Sequence, residues 1–273
     1  MIRQDTETGW ILIGHQDHAR LAGEFADKWG NERFRRPDPF HSISVAVSRH
    51  DDSWVERDAR PLVTPEGYPS AFSRELVGTY DAFEEIDLEG YLGVRGAASE
   101  AVAADDPYAA ILVSMHTVNL LTEQADLSGL SDADRALHGK FVEGQRKRQV
   151  EMKEALLEGG QDPATLVDSA LQRGFEFLQA CDSLSLILCV AYSEALPLRH
   201  RHPDTAGELI QIGCMPLGPG HYRVTPWPFG GKGRLRFSIP ALEVEGRHFS
   251  GQAAFDAACA GGRQTHLEFV LES

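Results

Sequence analysis

The sequence predicts a mainly α protein, a helical bundle carrying a small C-terminal β-rich unit, α+β overall. Three observations lead there. Residues 83–192 hold four long segments with helical signatures. After Leu196 short alternating runs separated by Gly and Pro take over. Ionisable residues stand singly inside apolar helical stretches, which is how a buried site in a bundle looks in one dimension. The expected division is 1–196 for the helical domain and 207–273 for the β-rich unit, packed on the first.

Trp10-Ile11-Leu12-Ile13-Gly14 reads as a short strand, which the β unit can take in, tying the two ends of the chain together. Leu21, Ala22, Phe25 and Trp29 then recur at helical spacing, and Gly30 ends that run. Asp17 is placed to cap this helix, with His18 in the first turn. Arg33 to Pro39 is a polar connection. Phe40 to Arg49 is short and apolar, so periodicity does not separate strand from helix, and the His50-Asp51 pair at its end favours helix. Arg60 to Ala71, with Pro61, Pro65, Gly67 and Pro69, is a long loop, either a substrate cover or irregular packing.

Phe83 to Ala104 is expected to be helical, although Gly90, Gly93 and Gly96 weaken it. Pro107 to Glu123 starts with Asp105 or Asp106 as cap and proline in the first turn. Ser131 to Gly159 is helical with a charged face around Gln145-Arg146-Lys147-Arg148. Pro163 to Tyr192 is the longest periodic run, and Phe175 to Val190 is apolar nearly all round, as in a central buried helix. Pro197 to Thr205 reads as a linker; His200 and His202 share it with two arginines and suit a surface role better than ligation. Strands are expected at Glu208–Ile212, His221–Val224, Arg234–Ile239 and His266–Val270, with a short helix over Phe249–Cys259.

A chain of 273 residues buries roughly three quarters of its surface, enough for one large domain or two small ones. The net charge of −15 argues against nucleic acid or an anionic membrane as partner, because phosphates attract Lys and Arg. The polar, acidic start is not expected to act as a secretory leader, and the longest apolar stretch, Leu184 to Tyr192, is too short to cross a bilayer. Cys181, Cys189, Cys214 and Cys259 form no CxxC pair, so a reducing cytoplasm fits, with Cys181 and Cys189 as small buried hydrophobes.

His50-Asp51-Asp52-Ser53-Trp54 taken alone is either a solvated turn or a ligand cluster. Asp182 shifts that balance, because it sits inside the apolar helix 175–190, where a carboxylate costs several kcal/mol unless paired or coordinated. His18, His50, Asp51 and Asp182 together offer two imidazoles and two carboxylates, a donor set for Zn²⁺, Mn²⁺, Fe²⁺, Co²⁺ or Ni²⁺. His116, on the apolar run Ile111-Leu112-Val113-Ser114-Met115, is either a fifth member or a satisfied core histidine. Glu56 and Asp58 are either part of the same rim or solvated loop residues, and the second reading is preferred. Trp54 and Trp227 either flank a substrate or belong to the core. No phosphate-binding glycine loop and no Gly-x-Ser-x-Gly elbow occurs.

A first-helix histidine, a His-Asp pair ending a later helix and a distant helical Asp followed by Ser-Leu-Ser resemble the metal-binding signature of the HD-domain superfamily, over residues 10–195. The chain is also similar to an uncharacterised family of full-length bacterial proteins through Gln16–Gly23, His50–Trp54, Ser114-Met115-His116, Cys181–Leu186 and Thr225–Phe229, which carries no activity with it. The superfamily resemblance implies a divalent transition metal held by His18, His50, Asp51 and Asp182, and metal-assisted hydrolysis of a small phosphorylated metabolite or nucleotide. Asp52 and His116 are then the candidate catalytic residues. Asp52 would orient or deprotonate water; His116 would bind a second ion or the phosphoryl group. Two other readings stay open: a di-iron oxygenase on the same fold, and a non-catalytic metal- or ligand-binding protein. The expected partner is a small molecule, neither nucleic acid nor membrane, and the sequence leaves the oligomeric state open.

Overall fold

Both ends of the chain enter one sheet. The computed structural model describes residues 1–73, 88–125 and 127–273. Strands β1 (Ile2–Asp5) and β2 (Gly9–Ile13) form a hairpin before the helices. Strands β3 (Leu196–Pro203), β4 (Leu209–Gly218), β5 (His221–Thr225), β6 (Arg234–Glu245) and β7 (Arg263–Glu272) follow them. The order across the sheet is β1-β2-β6-β7-β5-β4-β3, and β5 with β7 is the parallel pair in an otherwise antiparallel ladder.

This overturns the mainly α expectation. About 49% of the chain is helical, and the seven-stranded mixed sheet curls into a half-barrel, so the fold is α+β with a substantial sheet. The sheet was underestimated for physical reasons. Pro240 interrupts the alternating run that ends at Ile239, yet β6 continues through it, with Pro240 opposite His266. β4 likewise runs through Gly213 and Pro216. Residues 197–203, expected as linker, form the edge strand β3, with Leu198 and His202 buried between exposed neighbours. β1 is four residues long, too short for its alternation to register, although Ile2 is fully buried.

The helices are α1 (His15–Lys28), α2 (Phe40–Arg49), α3 (Val55–Asp58), α4 (Leu88–Ala103), α5 (Pro107–Asn119), α6 (Asp132–Glu158), α7 (Asp168–Cys189) and α8 (Gln252–Ala260). Residues 83–87 of the helix expected from Phe83 lie outside the described residues. Asp106 caps α5 by accepting the Ala109 N–H at 3.0 Å, and Ser131 caps α6 through Asp134 at 3.1 Å. Asp17 caps nothing; it lies within the first turn of α1. That helix is capped from a distance instead, by Asp58, whose Oδ2 accepts the His15 N–H at 2.6 Å. α5 passes directly into a π-helical turn at Leu120–Gln124.

One apolar cluster joins helices to sheet, with Phe25 and Trp29 of α1, Ile43 and Val47 of α2, Leu112 of α5 and Leu178 of α7 against Phe237 and Leu271. Gly23 sets the approach of α1 to α2: a Cβ there would lie 2.6 Å from the Cβ of Ser48 and 3.1 Å from its Cα. The closeness of these two helices brings His18 near His50. All four cysteines are free. Among the described residues no helix is long and apolar enough to cross a membrane.

Candidate metal centre

Four helical segments deliver ionisable side chains to one buried place. α1 supplies His18, the C-terminal end of α2 supplies His50 with Asp51 following, α5 supplies His116 and α7 supplies Asp182; all five are buried. Two overlapping groups, His18–His50–Asp51 and His50–His116–Asp182, each place one ligand atom per residue within 4.8 Å of the others, and such groups can hold a metal ion.

The hydrogen bonds around the centre fix which nitrogen carries a proton. Ser185 donates its hydroxyl hydrogen to the carbonyl of Asp182 at 3.0 Å. Its oxygen therefore accepts from His18 Nδ1, 2.8 Å away. The Nε2 of a neutral His18 is then bare, and it faces Asp51 Oδ2 at 3.0 Å. His50 repeats the pattern. Its Nδ1 lies 2.8 Å from the carbonyl of Val47 and must donate to it. Its Nε2 has no hydrogen-bond partner, and it lies 3.4 Å from Asp182 Oδ1 and 3.7 Å from Asp51 Oδ2. Two lone pairs thus confront two carboxylates in a buried space. Either a second proton on each ring or one divalent cation resolves the repulsion. The separations of 3.0 and 3.4 Å fall in the range of donors around one ion, about 3–3.5 Å when metal bonds are about 2.0–2.2 Å, and the 3.7 Å one is slightly longer.

The electrostatics agree. Burial works to lower the His50 pKa, but the Asp51 and Asp182 carboxylates outweigh it and raise it to about 9. Burial works to raise Asp182, but the nearby His50 imidazole outweighs it and holds it at about 2. Asp51 stays well below the usual carboxylate range against the same burial, chiefly through Arg95. The cavity therefore favours positive charge. His116 differs: burial drives its pKa down to about 3, so it is a neutral ring, with Nε2 3.9 Å from Asp182 Oδ2 and Nδ1 without a partner.

Arg95 and Ser185 were not anticipated. Arg95 donates to Asp51 Oδ1 at 2.8 Å, and its guanidinium lies over the rings of Trp54 and Tyr91 at 5.1 and 5.3 Å. It leaves Asp51 Oδ2 as the free oxygen. Arg95 lies on α4 between Gly93 and Gly96, where no apolar run marked it out. Ser185 follows Asp182 by three residues, in Ser183-Leu184-Ser185, and no sequence pattern ties its hydroxyl to His18.

The other expected residues fall elsewhere. Asp52 is turned to Arg49 Nε at 2.7 Å and to Gln16 Nε2 at 3.1 Å, and it joins neither donor group. Trp54 is a core residue, stacked on His15 with ring centroids 4.1 Å apart. Trp227 packs on Phe229 at the edge of the main core. Glu56 is exposed. Asp58 is not solvated: it binds the amino group of Met1 at 2.6 Å and lies 3.0 Å from His15 Nδ1.

A protein-family model described as a protein of unknown function, DUF3891, matches residues 1–245. No curated protein and no solved structure matches the chain.

Proposed function

The chain belongs to the DUF3891 family, and we propose that its buried centre is a divalent transition-metal site that serves hydrolysis of a small phosphorylated metabolite or nucleotide. One observation carries the metal: His18 and His50, whose Nδ1 atoms are engaged by Ser185 and the Val47 carbonyl, direct Nε2 toward Asp51 and Asp182 at 3.0 and 3.4 Å. Such tautomer locks are what keep imidazoles poised as ligands. Mixed nitrogen and oxygen donors suit Zn²⁺, Mn²⁺, Fe²⁺, Co²⁺ or Ni²⁺. The HD-like order of His18, His50-Asp51 and Asp182 supports the hydrolytic reading.

When bound, a divalent ion at this position supplies Lewis acidity toward a phosphoryl oxygen and makes a water more acidic. The protein's own groups do the positioning. Ser185 and the Val47 carbonyl orient the two imidazoles, and Arg95 holds Asp51 so that one oxygen faces the centre. His116 stays neutral and presents a polar ring on the Asp182 side without adding charge. Asp52 has no part in this proposal, since its carboxylate is engaged by Arg49 and Gln16. Four free thiols, three of them buried, fit a reducing cytoplasm.

The test is metal analysis of the purified protein followed by a panel of phosphomonoesters and nucleotides. Zinc, manganese, cobalt or nickel near one equivalent, with phosphate released and release abolished by His50→Ala, is the expected result. Iron with a visible chromophore and no phosphate release overturns the hydrolytic reading in favour of oxidation. Absence of any bound metal overturns the site.

A further inference from the structure

Of the five side chains at the centre, that of Asp182 is the most exposed, 11% against 1–4% for those of His18, His50, Asp51 and His116. One helical turn along α5 from His116 is Asn119, and one turn along α7 from Asp182 is Gln179. The two are joined, Gln179 donating to Asn119 Oδ1 at 2.8 Å. Gln124, at the end of the π-helical turn, donates to the same oxygen at 2.8 Å. Edge strand β3 closes the layer. Arg199 donates to Gln124 Oε1, and His200 Nε2 lies 2.6 Å from Gln179 Oε1.

Two backbone irregularities serve this layer. The π-helical turn occurs where α5 ends, within one turn of Asn119. In β3, the register against β4 shifts between Pro197 and Arg201, and His200 takes φ +62°, a left-handed conformation that few non-glycine residues adopt. The bulge departs from simple alternation beside two inward anchors. Leu198 is buried, and buried His202 binds the Arg199 carbonyl at 3.1 Å. Strain of this kind persists where the surroundings enforce it, and it clusters at sites that bind ligands. Among the described residues no carboxylate forms an ion pair with Arg199, whose side chain is held by an amide. Through Gln124, Asn119 and Gln179 the guanidinium is joined by hydrogen bonds to the turn of α7 next to Asp182.

We propose that Arg199, positioned by Gln124 and flanked by His200, is the anion-recognition residue on the Asp182 side of the centre, taking the oxygens of a tetrahedral oxyanion, such as a phosphate ester, that enters past Asp182. A guanidinium presents paired N–H donors that match such oxygens two at a time. This rests on the metal reading for its chemistry, but it is tested apart from it. Metal content is measured on wild type, Arg199→Gln and Arg199→Lys, and inorganic phosphate is titrated calorimetrically into each, both as purified and after chelation. The expected result is unchanged metal content and thermal stability in both variants. Phosphate affinity falls at least tenfold in Arg199→Gln and by less in Arg199→Lys, which keeps the charge and loses the fork. Phosphate affinity in Arg199→Gln equal to wild type, or no phosphate binding by wild type in either state, overturns the proposal. Absence of metal from wild type overturns the metal reading alone, because the chelated protein still ranks the three affinities.

Discussion

Two histidine–aspartate clusters, one buried and one partly buried, lie side by side in this protein, with the rings of His15 and His18 6.2 Å apart, and they differ in what neutralises them. In the first, Asp58 accepts the backbone N–H of His15 and the amino group of Met1, each at 2.6 Å, and that amino group also lies 2.7 Å from His15 Nδ1. Imidazole, amino group and carboxylate are all in direct contact, with His15 Nδ1 3.0 Å from Asp58 Oδ1. In the second, the space between His18, His50, Asp51 and Asp182 holds no such group. Arg95 takes the far oxygen of Asp51, and His50 Nε2 is left without a partner. The same residue types make a closed structural knot in one place and an open donor set in the other. Composition does not separate these outcomes; the position of one cation does.

The comparison is broken most severely by metal content. His50→Ala or Asp182→Ala is expected to reduce bound metal at least tenfold, measured by elemental analysis, whereas Asp58→Asn leaves it at the wild-type value. Loss of metal in all three would mean that the two clusters are one site. Next comes Ser185→Ala. It frees His18 Nδ1 from its enforced donor role, so metal affinity falls about 10–100-fold in a competition assay with a chelator, while the fold loses about 1 kcal/mol in denaturant titration.

The closed cluster has its own signature in pH. Burial opposes ionisation of Asp58, but His15 and the Met1 amino group outweigh it and hold its pKa well below the usual carboxylate range. A depressed carboxyl pKa contributes stability above the unfolded-state value, about 4, and loses it as pH falls further. The gap in melting temperature between wild type and Asp58→Asn is therefore expected at pH 6 and should narrow steadily from pH 4 to pH 3. A gap independent of pH would mean that Asp58 acts by packing and not by charge. The smallest effect belongs to Asp52→Asn. Its partner Arg49 is 30% exposed, so the ion pair contributes less than about 1 kcal/mol and metal content is unchanged.

What the sequence made legible follows from contrast. His18, His50, Asp51, His116 and Asp182 stand out because each interrupts an apolar helical stretch, and the structure brings these five together. Arg95 has no such background, since the glycines on either side of it dilute any pattern. The knot at Asp58 joins residues far apart in sequence through an amino group that no motif describes. The sheet was harder than the helices. Strand alternation is short, and Pro216 and Pro240 lie within strands where they read as boundaries. The run Arg199-His200-Arg201-His202 looks like solvated linker because its register breaks at the bulge; only the placement of Leu198 and His202 inside shows an edge strand.

The sheet order constrains when the centre can assemble. β7 follows the other six strands in the chain, yet it lies between β6 and β5 and pairs with both. On a ribosome the helices that carry all five donor residues emerge well before the strand that joins the two halves of the sheet. β2, which leads directly into the helix of His18, pairs with β6, itself anchored by β7. Nascent chains that end before Arg263 are therefore expected to hold the donor residues without a settled scaffold, with their apolar faces open to chaperones. Such chains should bind metal only after the final strand clears the exit tunnel.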